Sequence, residues 1–405
     1  MQRELDDIEI GKLAYTPAYA VDYTGRVDHS ALKQAFEVLC NRHPVLRART
    51  IFEHGRWFLR ATPDFRPSMT VLAGDDETLR RAVGEPCDAR EEMAQLLLIE
   101  DGERGGAVAL RANHATLDGR HLTTVFTELW QIYTQLVEGA PVAAEPGRLP
   151  DSNHAVMRDR FREMVDIPPA KPDSLGERPG YSIFQHVIEL DERQSSDILR
   201  AARVRGLTVH AMLCGIIIET QLSTLVDVSE PVAFTCWSPV DLRNRVTPPV
   251  GVTDTTNFLA MHRADIAYSR STSWHEIGQR LQKDLKAALI EKRLRLSDGA
   301  LTLGSALESR PAEGERLDPH IGSASVSNYG VLPALPTPDD MRITKFHSIA
   351  DRLGTPYPNF SAFTIDNSLS VINRYRSDYF TEDEVRLLVE NTTARLQDGS
   401  RLLAS

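Results

Sequence analysis

The sequence predicts an α+β protein, mixed sheets with helices, folded as two domains. Three observations carry that expectation. The chain has 405 residues, well past the ~250–300 at which a single hydrophobic core stops growing. Hydrophobic residues make up 41% and charged residues 25%, a globular balance that excludes collagen-like, prion-like and wholly disordered chains. Helical and strand-like hydrophobic patterns are mixed in both halves, without a fixed repeat, heptad array or low-complexity tract.

Asp28 caps a helix whose Leu32, Ala35, Phe36 and Leu39 recur at three- and four-residue steps, and Pro44 ends it. Strands follow at Val45 to Phe52 and, after the His54-Gly55 turn, at Trp57 to Ala61. Gln95 to Glu100 and Ala107 to Ala112 read as a hairpin across the glycine-rich turn from Asp101 to Gly106. Gly119 to Glu138 is a long helix with Leu122, Val125, Phe126, Leu129, Ile132, Tyr133 and Leu136 on one stripe.

Between Gly139 and Gly180 stand seven prolines and four glycines, interrupted only by a short polar helix near His154 to Val165. The domains divide there: 1–150, a linker or crossover over 151–180, and 181–405. The second half opens with a strand, Tyr181 to Leu190, then a helix from Asp191 to Arg205 and an apolar helix capped by Thr208 and running through Leu225. A strand at Val232 to Ser238, a loop from Pro239 to Thr256, a strand at Asn257 to Ala264 and a helix from Trp274 to Arg295 come next. Strands at Ala324 to Ser327, Ile343 to Ile349, Ala362 to Asp366 and Leu369 to Tyr375 precede a closing helix, Glu382 to Leu396.

The formal net charge of −11 argues against a global grip on nucleic acid or anionic lipid. Cys40, Cys87, Cys214 and Cys236 are too scattered for a zinc finger or a C-x-x-C pair and read as buried free thiols of a reducing compartment. The start MQRELDDIEI lacks a signal-peptide pattern, and the longest apolar run, Ala211 to Ile218, falls short of the ~18 residues a membrane span needs. A cytoplasmic protein is expected. No G-x-S-x-G elbow, Walker phosphate loop, G-x-G-x-x-G or H-E-x-x-H occurs, which removes the simplest support for serine hydrolase, nucleotide hydrolase, dinucleotide enzyme or zincin.

The informative segment is Arg111-Ala112-Asn113-His114-Ala115-Thr116-Leu117-Asp118-Gly119, between a strand and the long helix. A histidine on such a turn can reach a cleft rather than a core. Asp118 can cap the helix and pair with an arginine that holds the turn. Three readings stand: an ordinary turn histidine beside a helix cap, a metal ligand together with His121, and a general base. Imidazoles seven residues apart across a turn make no known ligand pair.

His114 to Gly119 resembles the H-x-x-x-D-G motif of the chloramphenicol acetyltransferase-like superfamily, which includes nonribosomal-peptide condensation domains, plant BAHD acyltransferases and polyketide-associated (Pap) acyltransferases. About seventy residues earlier, Arg42-His43-Pro44-Val45-Leu46-Arg47 is similar to the R-H-x-x-L-R segment of condensation domains and Pap proteins. Pro239-Val240-Asp241-Leu242-Arg243, Asn257-Phe258 and Val326-Ser327-Asn328-Tyr329-Gly330 resemble their P-V-D-L-R loop, Gly-Asn-Phe and V-S-N-x-G strand end. The length, near 400 without carrier or adenylation modules, most resembles stand-alone Pap-like members. Asn113 stands where condensation domains have a first histidine, Thr256 replaces a glycine, and the BAHD D-F-G-W-G is missing.

The resemblance implies two chloramphenicol acetyltransferase-like domains forming a V-shaped pseudo-dimer with a channel between them. It implies an acyltransferase that moves an acyl group, through a non-covalent ternary complex, from acyl-CoA or an acyl carrier protein to a hydroxyl of a polyketide, lipid or other secondary-metabolite acceptor. His114 would be the general base. Asp118 would be structural, salt-bridged to Arg47, the family-matched partner, or to Arg243. Ser327, Asn328 and the backbone N–H of Gly119 are oxyanion candidates, while Asn257 and Asp241 to Arg243 would organise the cleft. Arg280, Lys283 and Lys286, with Lys292, Arg293 and Arg295 beyond, form either a donor-binding ridge or an ordinary solvated helix face. No bound cofactor, metal or nucleic acid is expected, and a monomer is. A free-standing condensation enzyme and a catalytically silent carrier-binding module are the alternatives.

Overall fold

The computed structural model describes residues 1–102, 105–143, 145–160, 175–227, 231–291, 294 and 315–398. The first half runs β1 (Gln2–Glu4), α1 (Asp7–Ile10), β2 (Ala18–Thr24), α2 (His29–Arg42), β3 (Ala48–Glu53), β4 (Arg56–Ala61), β5 (Met69–Ala73), α3 (Asp76–Gly84), β6 (Ala94–Glu100), β7 (Gly105–Ala112) and α4 (Gly119–Val137). After α5 (Asn153–Arg160) come β8 (Ile183–Glu189), α6 (Glu192–Val204), α7 (Val209–Leu225), β9 (Val232–Asp241), β10 (Leu259–Tyr268) and α8 (Trp274–Ile290). The chain closes with β11 (Glu315–Arg316), β12 (Ser323–Val331), β13 (Arg342–Ile349), β14 (Asn359–Ile365), β15 (Ser368–Arg376) and α9 (Glu382–Gln397).

Three sheets organise these strands, one of order β1-β4-β3, one of five strands in the order β13-β2-β7-β6-β5, and one of order β10-β9-β12-β14-β15-β8 with β11 beside β9. Both larger sheets mix parallel and antiparallel pairs, so the expected α+β class with mixed sheets holds. In the first half, α2 and α4 pack on the five-stranded sheet and bury Leu32, Phe36, Leu39, Phe126, Leu129 and Trp130. The stripe of α4 forms as its spacing predicts, and Asp118 caps it by accepting from the His121 N–H.

The second core lies between the large sheet and α6 to α9. Thr208 caps α7 and accepts from Ala211 N. This helix is apolar on all sides because it is covered on all sides. At Gly215 an added Cβ would lie 2.1 Å from the Trp274 carbonyl oxygen, so glycine lets the start of α8 close onto α7. No single helix among the described residues is long and apolar enough to cross a membrane. All four cysteines are buried and free.

Several elements depart from the sequence expectation. The strand expected from Val45 begins at Ala48, because Pro44–Arg47 forms a 3-10 turn with proline at its start. β9 runs on through Pro239 to Asp241, where a loop was expected. Proline is tolerated there because β12 pairs with β9 only as far as Trp237, leaving β10 as the neighbour. β2, at the heart of the first-half sheet, escapes the alternation test because Ala18 to Val21 are all buried. β5 and α3 were not anticipated either.

The halves are laced together. β13, from the second half of the chain, pairs antiparallel with β2 of the first-half sheet. At the other end of the division, Asp151 bridges to Thr255, and Asn153 donates to the Asn257 carbonyl at 2.8 Å. The middle of the linker, 161–174, lies outside the described residues.

Candidate active site

β7 ends at Ala112, and the turn it feeds is held by backbone and amide hydrogen bonds. Asn113 is fully buried and its amide donates to the Leu13 carbonyl at 2.8 Å, while its Oδ1 accepts from Ala115 N at 3.0 Å. The His114 N–H donates to the Tyr15 carbonyl at 2.7 Å. Where condensation domains carry a first histidine, this chain has an amide that pins the turn to the segment Leu13 to Thr16.

The partly exposed His114 ring has its Nδ1 2.8 Å from the Leu117 carbonyl oxygen. A carbonyl only accepts, so Nδ1 carries the proton and Nε2 keeps its lone pair. Burial pushes the imidazole down to about 4, and the Lys12 ammonium adds to that shift. At neutral pH the ring is uncharged, the state a general base needs.

Asp118 joins the halves. Its Oδ1 accepts from His121 N at 3.0 Å, and its Oδ2 accepts from Phe258 N at 3.1 Å and pairs with Arg243 Nη1 at 2.8 Å. Burial raises the carboxyl, but Arg243 and the His121 N–H outweigh burial and hold it below its ordinary value. Arg243 reaches this position at the end of β9, also touching Asp241 and the Thr256 carbonyl. Asn257 completes the junction, its amide donating to the carbonyl oxygens of His114 at 2.5 Å and Ala115 at 2.8 Å.

The partner of Asp118 is therefore Arg243 and not Arg47. The 3-10 turn folds Arg47 back so that its buried guanidinium donates to the carbonyls of Cys40 at 3.1 Å and Thr62 at 2.5 Å. The preceding Arg42 and His43 instead bind Glu128, at 2.7 and 2.6 Å, and tie α2 to α4. His121, weighed as a metal ligand, is a buried ring 6.4 Å from that of His43, and burial pushes it down to about 3.

Gly119 opens α4, so its N–H has no partner within the helix. Ser327 is partly buried, in register with Ser361. Asn328 is exposed, and its Oδ1 accepts from Gly330 N at 2.9 Å, so its carbonyl oxygen serves its own loop. Arg280, Lys283 and Lys286 lie on the exposed side of α8, whose buried side packs on α7 and β10. Lys292, Arg293 and Arg295 lie outside the described residues.

Lys12, in the turn after α1, was not anticipated. Its Nζ lies 3.5 Å from Asn257 Oδ1, and burial lowers it to about 8, with Asp118 and Asp6 opposing. A lone lysine after a glycine carries no local pattern, and only the crossing of the first segment over the His114 turn gives it meaning. Asn113, by contrast, sits inside the motif.

Arg243→Met should cost ~3–5 kcal/mol, since it leaves the Asp118 carboxylate buried and unpaired. Urea unfolding checks this: a lower midpoint, with partial recovery on adding Asp118→Asn, is the expected outcome, and an unchanged midpoint contradicts the pairing.

Comparison with known proteins shows what the chain is similar to. Residues 182–369 match the family described as phthiocerol/phthiodiolone dimycocerosyl transferase C-terminus. The phthiocerol/phthiodiolone dimycocerosyl transferase of Mycobacterium ulcerans is 26% identical over 376 residues, covering 87% of this chain and 86% of that protein. Among solved structures, polyketide synthase associated protein 5 from Mycobacterium tuberculosis superimposes with a TM-score of 0.77 at 21% identity, covering 97% of this chain and 98% of that one. The first condensation domain of the calcium-dependent antibiotic synthetase follows with a TM-score of 0.70 at 14% identity, covering 98% and 96%. The family match over residues 182–369, the mycobacterial relatives and the full-length fold point the same way: the chain is similar to the polyketide-associated (Pap) proteins and shares their fold with condensation domains.

Proposed function

We propose that the protein is an O-acyltransferase that moves an acyl group from a thioester, acyl-CoA or an acylated carrier protein, to a hydroxyl of a polyketide, lipid or other secondary-metabolite acceptor. The observation that carries this reading is His114, uncharged, with Nδ1 engaged by the Leu117 carbonyl and Nε2 left as a base. The name of the curated relatives supports transfer to a lipid acceptor.

In this reading His114 Nε2 takes the proton of the acceptor hydroxyl as its oxygen attacks the thioester carbonyl. The carbonyl oxygen becomes an oxyanion, the C–S bond breaks as the carbonyl reforms, and the imidazolium returns its proton to the departing sulfur. Asp118 and Arg243 do not touch the reacting atoms and hold the turn. The Gly119 N–H at the helix start, the Ser327 hydroxyl and the Asn328 amide nitrogen are the proposed oxyanion donors. Residues 1–150 and 181–405 would each supply a wall of the site, with 151–180 crossing between them. Arg280, Lys283 and Lys286 enter only as a surface for an anionic coenzyme or carrier, and no metal or bound cofactor takes part in this scheme.

His114→Ala should lower thiol release from acyl thioesters by ~10²–10⁴-fold, the ordinary contribution of a positioned base, with the circular dichroism spectrum unchanged. Full activity in this variant contradicts the assignment. Amide formation would show as turnover with amine acceptors only, and a silent carrier-binding module as carrier capture without thiol release in the parent protein.

The pH dependence follows from the charges. The base limb of kcat/KM falls as pH drops through the value of His114, about 4. Lys12 depresses that value, so Lys12→Met should move the limb to higher pH. A limb that stays in place, or moves lower, contradicts the role of the Lys12 charge.

A further inference from the structure

Past Asn328 the strand β12 breaks its register with β14, which resumes at Val331. Asn328 Oδ1 accepts from Gly330 N, and Gly330 adopts φ +73°, a left-handed conformation that glycine takes without strain. Together they form a bulge that redirects one side chain. That side chain is Tyr329, whose ring is laid against Gly119: a Cβ there would stand 2.6 Å from Tyr329 Cε1 and 3.2 Å from Tyr19 Oη. Only a glycine after Asp118 admits this contact.

Gly119 directly follows Asp118 of the His114 turn, and the Tyr19 ring that flanks it beside Tyr329 also lines a cavity of about 650 Å³, within the size range of small-molecule sites. Tyr19 and Thr123 both line the cavity, and each donates a hydroxyl hydrogen bond to the Gly119 carbonyl, at 3.2 and 2.8 Å. The halves of the chain share its walls, Phe126 of α4 from the first and Leu332, Phe346 of β13, Phe363 of β14 and Ile365 from the second. Lys345 and Glu189, also in the lining, pair with each other at 3.1 Å.

We infer that Tyr329 is the partition between the His114 site and this cavity, and that it selects which hydrocarbon chains extend from the site into the cavity. The inference rests on the acyl-transfer reading for its reacting end. A linear chain would slip past the phenol ring and bury methylenes against the apolar walls, each worth about fourfold in affinity. A chain branched near its reacting end meets the ring and is held back. The chain belongs to the acyl donor or to the acceptor alcohol, and the two sources are separated by experiment.

Tyr329→Ala and, as a second variant should that chain fail to fold, Tyr329→Leu remove the partition, while Ser370→Phe fills the cavity from β15. Stopped-flow association of a fluorescent sixteen-carbon fatty acid reads entry without any turnover. It should quicken about tenfold or more without the phenol ring, and affinity should fall about tenfold in Ser370→Phe. Thiol release is then followed with linear and 2-methyl-branched acyl-CoA donors of increasing length and a fixed alcohol, and separately with alcohols of increasing length and acetyl-CoA. Loss of Tyr329 should raise the branched-to-linear ratio about tenfold or more in the arm whose chain uses the cavity. If the parent protein turns over thioesters but association rates and both profiles are the same in all variants, the partition is overturned. If no chain releases thiol while fatty-acid entry still responds to Tyr329, the acyl-transfer reading fails and the partition stands.

Discussion

The buried pair of Asp118 and Arg243 is the constraint on which the site depends. Both side chains are out of water, at 0% and 1% exposure, where an unpaired charge is costly. Asp118 escapes that cost only when Arg243, the His121 N–H and the Phe258 N–H all reach it. These donors come from opposite halves of the chain. The turn carrying His114 can adopt its form only when the end of β9 and the start of β10 are in place, with Asn257 gripping the His114 and Ala115 carbonyls from the same side. A site built this way is assembled by the docking of the halves rather than by either alone.

The electrostatics follow from that closure. Asp118 is compensated by Arg243, and His114 is held neutral by burial and the Lys12 charge. Lys12, with its amine near Asn257, gives the site a positive group that a chain of net charge −11 lacks on average. In the acyl-transfer reading proposed above, Lys12 would add to the exposed cations of α8 a positive group beside His114 for an anionic donor.

What the sequence discloses is local. The stripe of α4, the Asp118 cap and the His114 turn are legible because 3.6-residue periodicity and N-cap chemistry act over a few residues. The choice of Arg243 over Arg47 is not, because it depends on where two guanidinium groups arrive in space. Arg47 is nearer the motif in the chain, yet a 3-10 turn gives it the Cys40 and Thr62 carbonyls. The periodicity of 343–349 predicts a strand correctly but cannot name its partner, which is β2, over 300 residues earlier. Lys12 and the pinning of Tyr329 on Gly119 are tertiary in the same sense. Asn328 is instructive, since its motif reads as catalytic while its side chain oxygen builds the bulge that aims its neighbour.

The central claim is that Arg243 and Asn257, from the second half, hold the His114 turn of the first. Amide hydrogen exchange across residues 113–121, compared between the parent chain and Asn257→Ala under conditions where both are fully folded, tests it most directly. The account predicts that protection of these amides falls about tenfold or more while the β6–β7 ladder keeps its own. Equal protection across 113–121 in the two proteins would contradict it.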